Sequence, residues 1–240
     1  MHGLIYRAIQ CFLRDSFGAA VWHDIAAETG VPADGFEPML RYDDAIAGRM
    51  IDAAAARLDR SRDSLLEDLG TYLVSHPNRE GLRRLLRFGG VTFLDFLHSI
   101  DDLPGRGRLA VPDLDLPQLE LRDHGEGRFS LVCRSQFTGF VPVMVGVLRA
   151  MADDYGALVL LEAAPPGRAE GRDTRAHVDP TADIAAEGDI ETARTTTTSA
   201  AGHPPGELSR SAPEAETIAI TLFDPSHGSG RSFELAAGAP

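Results

Sequence analysis

Side chains that bind metals or transfer protons are few and widely spaced along this chain of 240 residues. His98 lies six residues before Pro104, and its imidazole is a weak candidate for a metal ligand. Cys133 and Ser135 lie close together in a later segment, but a thiol is only a weak hydrogen-bond donor. The second cysteine, Cys11, is remote in sequence, so no CxxC pair predicts a zinc or dithiol site. Both thiols are expected to be small buried apolar groups in a reducing compartment.

Composition excludes several function classes. The sequence contains no P-loop, HExxH or GxSxG motif, so we expect no catalysis of its own. Acidic residues outnumber basic ones by 36 to 23, for a net charge of -13, whereas nucleic acids and anionic membranes bind basic surfaces. No apolar run reaches the roughly 18 residues that span a membrane, and no signal peptide opens the chain. We therefore expect a cytoplasmic protein that binds neither nucleic acid nor membrane.

Helices are predicted for residues 1 to about 103, because apolar side chains recur there every three to four positions. The first apolar stripe is formed by Leu4, Ile5, Ala8, Ile9 and Phe12. Further stripes follow in residues 21–25, 46–58, 65–73 and 82–86. The last helical segment, residues 91–103, is expected to stop at Pro104, since proline lacks the backbone donor that continues a helix.

The pattern changes to alternation of apolar and polar residues after about residue 117. Strands are predicted at residues 119–121 and 129–133, with a turn at 125–127, and later at 158–161, 218–222 and 233–235. Residues 140–148 are apolar on nearly every side, which is typical of a buried helix, and Pro142 fits its first turn. The sequence thus predicts an α+β fold with a helical half and a half that combines an antiparallel sheet with a buried helix.

A segment of unusual composition interrupts the second half. Residues 165–214 are rich in Gly, Ala, Thr, Glu, Asp and Pro and nearly lack large apolar side chains. Such a segment cannot bury enough surface to offset its ordering entropy, so we predict a disordered insert. The domain then comprises residues 1–164, with a helical part to about 103 and a sheet-containing part from about 117, together with final strands at 215–237.

The order of elements and several local matches resemble the heme nitric oxide/oxygen binding (H-NOX, HNOB) family. The matching segments are Met1-His2-Gly3-Leu4-Ile5, Val21-Trp22 with Ile25, Tyr42-Asp43-Asp44, Gly139-Phe140 and Val145-Gly146. They cover residues 1 to about 163, in the family's order and spacing. The resemblance implies an H-NOX-like fold and heme as the cofactor.

The resemblance also identifies the positions that would hold heme. Family members bind iron through a His that follows a Leu, and they clamp the propionates with a Tyr-x-Ser-x-Arg motif. In this chain Leu103 is followed by Pro104, which has no donor for a metal. The clamp motif falls on Cys133, Ser135 and Phe137, of which only the serine matches. A thiol and a phenyl ring cannot replace a phenol and a bidentate guanidinium. The standard heme mode is therefore expected to be lost or altered.

Other positions bear on gas binding. The resemblance places Ile5, Leu73 and Val143 in the distal pocket, where no tyrosine hydroxyl would hold oxygen; with heme, nitric oxide or carbon monoxide would be favoured. Simple core packing is the alternative for these three apolar residues. On a continuous helix His98 would point about 120° away from Pro104. It is therefore expected to face solvent rather than to replace the iron ligand.

Two functions remain open from the sequence. The resemblance implies a stand-alone sensor or regulatory protein in nitric oxide signal transduction. Its partner would be a signalling protein such as a histidine kinase or a cyclic-dinucleotide enzyme. The alternative is a ligand-free protein-interaction module on the same scaffold, with its pocket filled by side chains.

Overall fold

Helices build the first half of the molecule, as the apolar spacing predicts. The computed structural model describes residues 1–164 and 215–223, all of which belong to one compact unit. Its helices are α1 (Gly3–Phe17), α2 (Ala19–Thr29), α3 (Ala45–Leu58), α4 (Arg62–Ser75), α5 (Glu80–Arg87), α6 (Phe93–His98), α7 (Leu103–Ala110) and α8 (Phe140–Tyr155). Short 3-10 turns occupy Pro77–Arg79 and Ile100–Asp102.

An antiparallel sheet forms the second half. Its strands are β1 (Gln118–Asp123), β2 (Arg128–Arg134), β3 (Val159–Ala164) and β4 (Ala215–Leu222), in the spatial order β1-β2-β4-β3. Each neighbouring pair is antiparallel. The predicted α+β fold with an antiparallel sheet and a buried helix is confirmed. The predicted insert at 165–214 and the predicted strand at 233–235 lie outside the described residues.

Apolar side chains collect in two buried clusters. One cluster joins α1 to α4 around Tyr6, Phe12 and Trp22. The other lies between the sheet and α8 and includes Phe96 of α6. Helix α8 is buried because it packs against α4 on one side and contacts β3 and β4 on another. This position explains why its first part, residues 140–148, is apolar on nearly every side. Pro142 lies in its first turn, as predicted.

The predicted end of the last N-terminal helix is wrong. Helix α6 begins with a capping box between Thr92 and Asp95 and ends at His98. After a 3-10 turn, α7 starts at Leu103 and continues to Ala110, with Pro104 in its first turn. Proline is tolerated there because the first backbone N–H groups of a helix have no intrahelical acceptor. The proline therefore opens a helix instead of ending one, and the helical part extends beyond residue 103.

No helix in the described part of the chain is long and apolar enough to cross a membrane. Among the same residues, no group of three or more His, Cys, Asp or Glu side chains is arranged to hold a metal ion.

Candidate functional site

A cavity of about 330 Å³ lies where the helical half meets the start of α8. Helices α1, α3 and α4 supply most of its wall, and segments 114–117 and 137–140 supply the remainder. The wall is almost entirely aliphatic. Representative side chains are Leu4, Ala8, Ile51, Leu66, Leu69 and Leu116. A cavity of this size falls within the range of small-molecule sites, about 300–1,000 Å³.

The three predicted distal residues meet at this cavity. Ile5 of α1, Leu73 of α4 and Val143 of α8 all line it, although they are far apart in sequence. Phe137, at the position of the clamp arginine, lines it as well. Each of these side chains is half-buried. The structure therefore brings together four of the predicted site residues around one apolar space.

Pro104 and Cys133 are not among the residues that line the cavity. Pro104 is buried in the first turn of α7. On that side the wall is formed by segment 114–117, and α7 packs behind it. A Cβ atom built on Gly107 of α7 would lie only 2.3 Å from Cδ1 of Leu116. Pro104 thus belongs to the helix that packs behind the cavity wall, and it does not line the cavity.

Cys133 belongs to the core between the sheet and α8. Its side chain is 1% exposed, and its strand neighbours are Leu119 on β1 and Glu216 on β4. Burial, reinforced by the negative charge of Glu216, raises the pKa of the thiol to about 12. The thiol is therefore neutral and acts as a small apolar group, as predicted. Cys11 is only half-buried, so the prediction of a buried thiol is wrong there, because its side chain packs at the edge of the cluster around Tyr6 and not inside it.

Ser135, the retained clamp position, has a local role. Its Oγ accepts the backbone N–H of Phe137 at 2.9 Å and donates to the carbonyl oxygen of Phe137 at 3.3 Å. These bonds shape the turn between β2 and α8. Arg134 is not among the residues that line the cavity, and its guanidinium pairs with Glu120 at 2.8 Å. It is half-buried rather than fully exposed to solvent.

His98 is exposed and does not line the cavity. Its ring lies edge-on to Phe129, with the ring centroids 6.0 Å apart. The helix ends immediately after His98, so the angle of a continuous helix does not describe its direction relative to Pro104. The structure does not bring this imidazole to the candidate site.

Two charged side chains that the sequence alone did not identify also line the cavity. Arg62, at the start of α4, pairs with Asp52 and donates to the carbonyl oxygen of Gly48 at 3.4 Å. Asp115 pairs with Arg41 at 3.3 Å. Both are partly exposed, which places them near the opening. No local pattern marks them, because each pair joins segments that only the tertiary structure brings together.

The residues present do not fit the standard mode of heme binding. The described residues that line the cavity include no His, Cys or Tyr, and the thioether of Met1 is the one side chain among them of a type that binds heme iron. The one guanidinium among them, on Arg62, already has a carboxylate partner in Asp52. Phe137 occupies the position where the clamp needs a bidentate cation. We therefore derive no chemistry through a heme group.

Comparison with known proteins identifies the family. A family model described as Haem-NO-binding matches residues 2–162. Soluble guanylate cyclase 89Da of Drosophila melanogaster is 23% identical over 158 residues, which are 66% of this chain and 24% of that protein. Soluble guanylate cyclase gcy-31 of Caenorhabditis elegans is 24% identical over 154 residues, 64% of this chain and 22% of that protein. The chain thus matches about a quarter of the length of these curated relatives.

Solved structures show the same fold. The I5F mutant of the T. tengcongensis H-NOX has a TM-score of 0.64 at 13% identity, covering 94% of this chain and 100% of that chain. An oxygen-binding H-NOX domain related to soluble guanylate cyclases has a TM-score of 0.60 at 13% identity, covering 94% and 96%. With the family model matching most of the described residues, this chain belongs to the haem-NO-binding (H-NOX) family of sensor domains.

Proposed function

We propose that this chain is a regulatory domain of the H-NOX type that acts on a signalling protein without standard heme binding and without catalysis of its own. The observation that carries this proposal is the combination of a kept cavity with exchanged heme-binding side chains. Ile5, Leu73 and Val143 still surround an apolar space. Pro104 and Phe137 offer neither an iron ligand nor a propionate clamp.

The cavity argues for a domain that still responds to a ligand. In a ligand-free interaction module the old pocket would be filled by larger side chains. Here about 330 Å³ is not filled by the protein's own side chains. An apolar cavity of this size is large enough for a small molecule. For this reason we favour the regulatory domain over the interaction module.

Action on a signalling partner is supported by the relatives. In the two fly and worm proteins, the matched part is less than a quarter of a protein named as a guanylate cyclase. The corresponding domain therefore accompanies long additional segments there. For this chain we propose a separate or fused signalling enzyme, such as a histidine kinase or a cyclic-dinucleotide enzyme.

Heme reconstitution tests the first part of the proposal. The purified chain is incubated with heme and passed over a gel-filtration column, with the oxygen-binding H-NOX domain treated identically as a positive control. We expect no sharp Soret band at one heme per chain to survive the column. A stable stoichiometric band would contradict the proposal.

The second part needs a different readout. The chain is added to a histidine kinase and to a cyclic-dinucleotide enzyme of the same organism, and the rate of each is measured. We expect a concentration-dependent change in one of them. Unchanged rates in both, together with no co-elution, would contradict action on a partner of either class.

A further inference from the structure

The cavity is held open by the way its walls are fixed to one another. Helices α4 and α8 approach so closely that a Cβ atom on Gly70 would lie 2.0 Å from the carbonyl oxygen of Val143. A Cβ atom on Gly146 would lie 2.0 Å from the carbonyl oxygen of Glu67. Because their backbones are in direct contact, α4 and α8 cannot move closer to each other to fill the cavity that Leu69 and Val143 line. Such a space forfeits dispersion contacts that a bound molecule would restore.

The wall determines what kind of molecule would fit. Leu, Ile, Val, Ala and Phe side chains dominate it, so the buried part of a ligand must be apolar. Both charged side chains in the wall have an ion-pair partner, Asp52 for Arg62 and Arg41 for Asp115, and the second pair is largely exposed to water. A charged ligand would have to compete with these partners or lose its hydration without compensation. The lining therefore favours an uncharged ligand.

We propose that this cavity, at the distal-pocket positions Ile5, Leu73 and Val143, binds an uncharged, mainly aliphatic small molecule. A single hydroxyl or carbonyl group at one end would remain at the opening near Arg62 and Asp115, where it meets water and paired charges. The apolar part would extend between α1 and α4 towards Leu73 and Val143. This inference rests on the proposed loss of the standard heme mode, because a heme in the cavity would exclude such a ligand.

Decanol is a suitable probe for the binding step. Its affinity is measured by displacement of the fluorescent apolar dye N-phenyl-naphthylamine and by calorimetry on the full chain. We expect saturable binding of one decanol per chain. Octanol, two methylenes shorter, should bind about fifteenfold more weakly, at about fourfold per methylene. Decanoate at neutral pH should bind more weakly than decanol, since the wall holds no uncompensated cation.

Blocking variants show whether the cavity is the site. Ala8→Phe, on the α1 wall, is expected to abolish decanol binding, and Ala47→Leu on the α3 wall provides a second, smaller block. Ala20→Phe, at an exposed position of α2, is the matched control and should bind like the wild type. Thermal melts by circular dichroism confirm that each variant is folded.

The outcomes separate this inference from the function on which it rests. Decanol binding that survives both folded blocking variants, or decanoate binding tighter than decanol, would overturn the inference. Absence of any saturable alcohol binding in the wild type would overturn it too. Heme is titrated into the same wild-type sample. Stoichiometric heme uptake would contradict the proposed function. If the chain binds neither heme nor an alcohol, only the inferred ligand class is contradicted.

Discussion

Three positions that the resemblance assigns to heme binding carry apolar or weakly polar side chains in this chain. Cys133 fills a core position between β2 and α8, where a tyrosine would need room and a hydrogen-bond partner. Phe137 presents a ring to the cavity where the clamp has a cation. Pro104 begins a helix. None of the three supplies an imidazole, a phenol or a guanidinium, while the fold of the family is kept.

Burial of the Cys133 thiol predicts a loss of stability in alkali. The thiol's pKa lies at about 12 in the folded protein against an ordinary value of 9.0. Its neutral form thus contributes stability that is fully present below pH 9 and is lost as pH rises towards 12. Above pH 9, the free energy of unfolding of the wild type, measured with urea, should fall more steeply with pH than that of Cys133→Ala. The slopes of the two free energies of unfolding against pH should differ by at most about 1.4 kcal/mol per pH unit.

Cys11→Ala serves as the control for removal of a thiol as such, because Cys11 is half-buried on α1. Parallel pH profiles for the wild type and Cys133→Ala would show that Cys133 does not hold its proton through burial.

Elements meet most closely where α4 crosses α8. The contact depends on Gly70 and Gly146, since a side chain at either position would collide with the backbone of the other helix. This crossing connects the two hydrophobic clusters and forms one corner of the cavity. Its rigidity is therefore a condition both for stability and for the ligand site.

Substitution of either glycine by alanine should lower the free energy of unfolding. The added methyl group forces the two helices apart, at a cost of about 1–3 kcal/mol or more. Gly81→Ala is the matched control, because Gly81 lies in α5 and a Cβ there meets no other atom within 4 Å. That variant should be more stable by about 0.5–1 kcal/mol, from helix propensity. Equal urea midpoints for Gly70→Ala and Gly81→Ala would contradict the close crossing.

At the scale of the whole molecule, the described residues form one sheet-and-helix unit, and its last described strand follows the preceding one after a long sequence separation. Strand β3 ends at Ala164, β4 begins at Ala215, and the two are antiparallel neighbours with Ala164 opposite Thr217. Antiparallel neighbours can be joined by a loop of only two to five residues. The pairing of these strands therefore does not require the fifty residues between them.

Replacement of residues 165–214 by a short Gly-containing hairpin loop should leave the fold intact. Composition predicts that this segment buries little apolar surface, and loop-closure entropy changes slowly with length. We expect a change of less than about 2 kcal/mol in the free energy of unfolding. The measurement is urea unfolding followed by circular dichroism. A larger loss, or loss of the folded signal, would show that the segment contributes to packing.

Local patterns were sufficient for most of the fold. Helical spacing in residues 4–12, the alternation in 129–133 and the apolar run in 140–148 each led to the element that the structure contains. Such patterns are reliable because they reflect the periodicity of helices and strands facing a core. The prediction at Pro104 was wrong because a proline can either follow the end of a helix or lie in the first turn of one. Here a 3-10 turn at Ile100–Asp102 separates the two helices, and Pro104 lies in the first turn of the second.

The sequence by itself determined that no imidazole, phenol or guanidinium stands at Pro104, Cys133 and Phe137, because residue types alone decide which donors a position carries. Only the tertiary structure decided that an aliphatic cavity lies beside Phe137 and that segment 114–117 forms its wall on the side of α7. It also decided that Arg62 and Asp115 have ion-pair partners distant in sequence. Donor chemistry is a property of single side chains, whereas cavity volume and charge pairing depend on how remote segments pack.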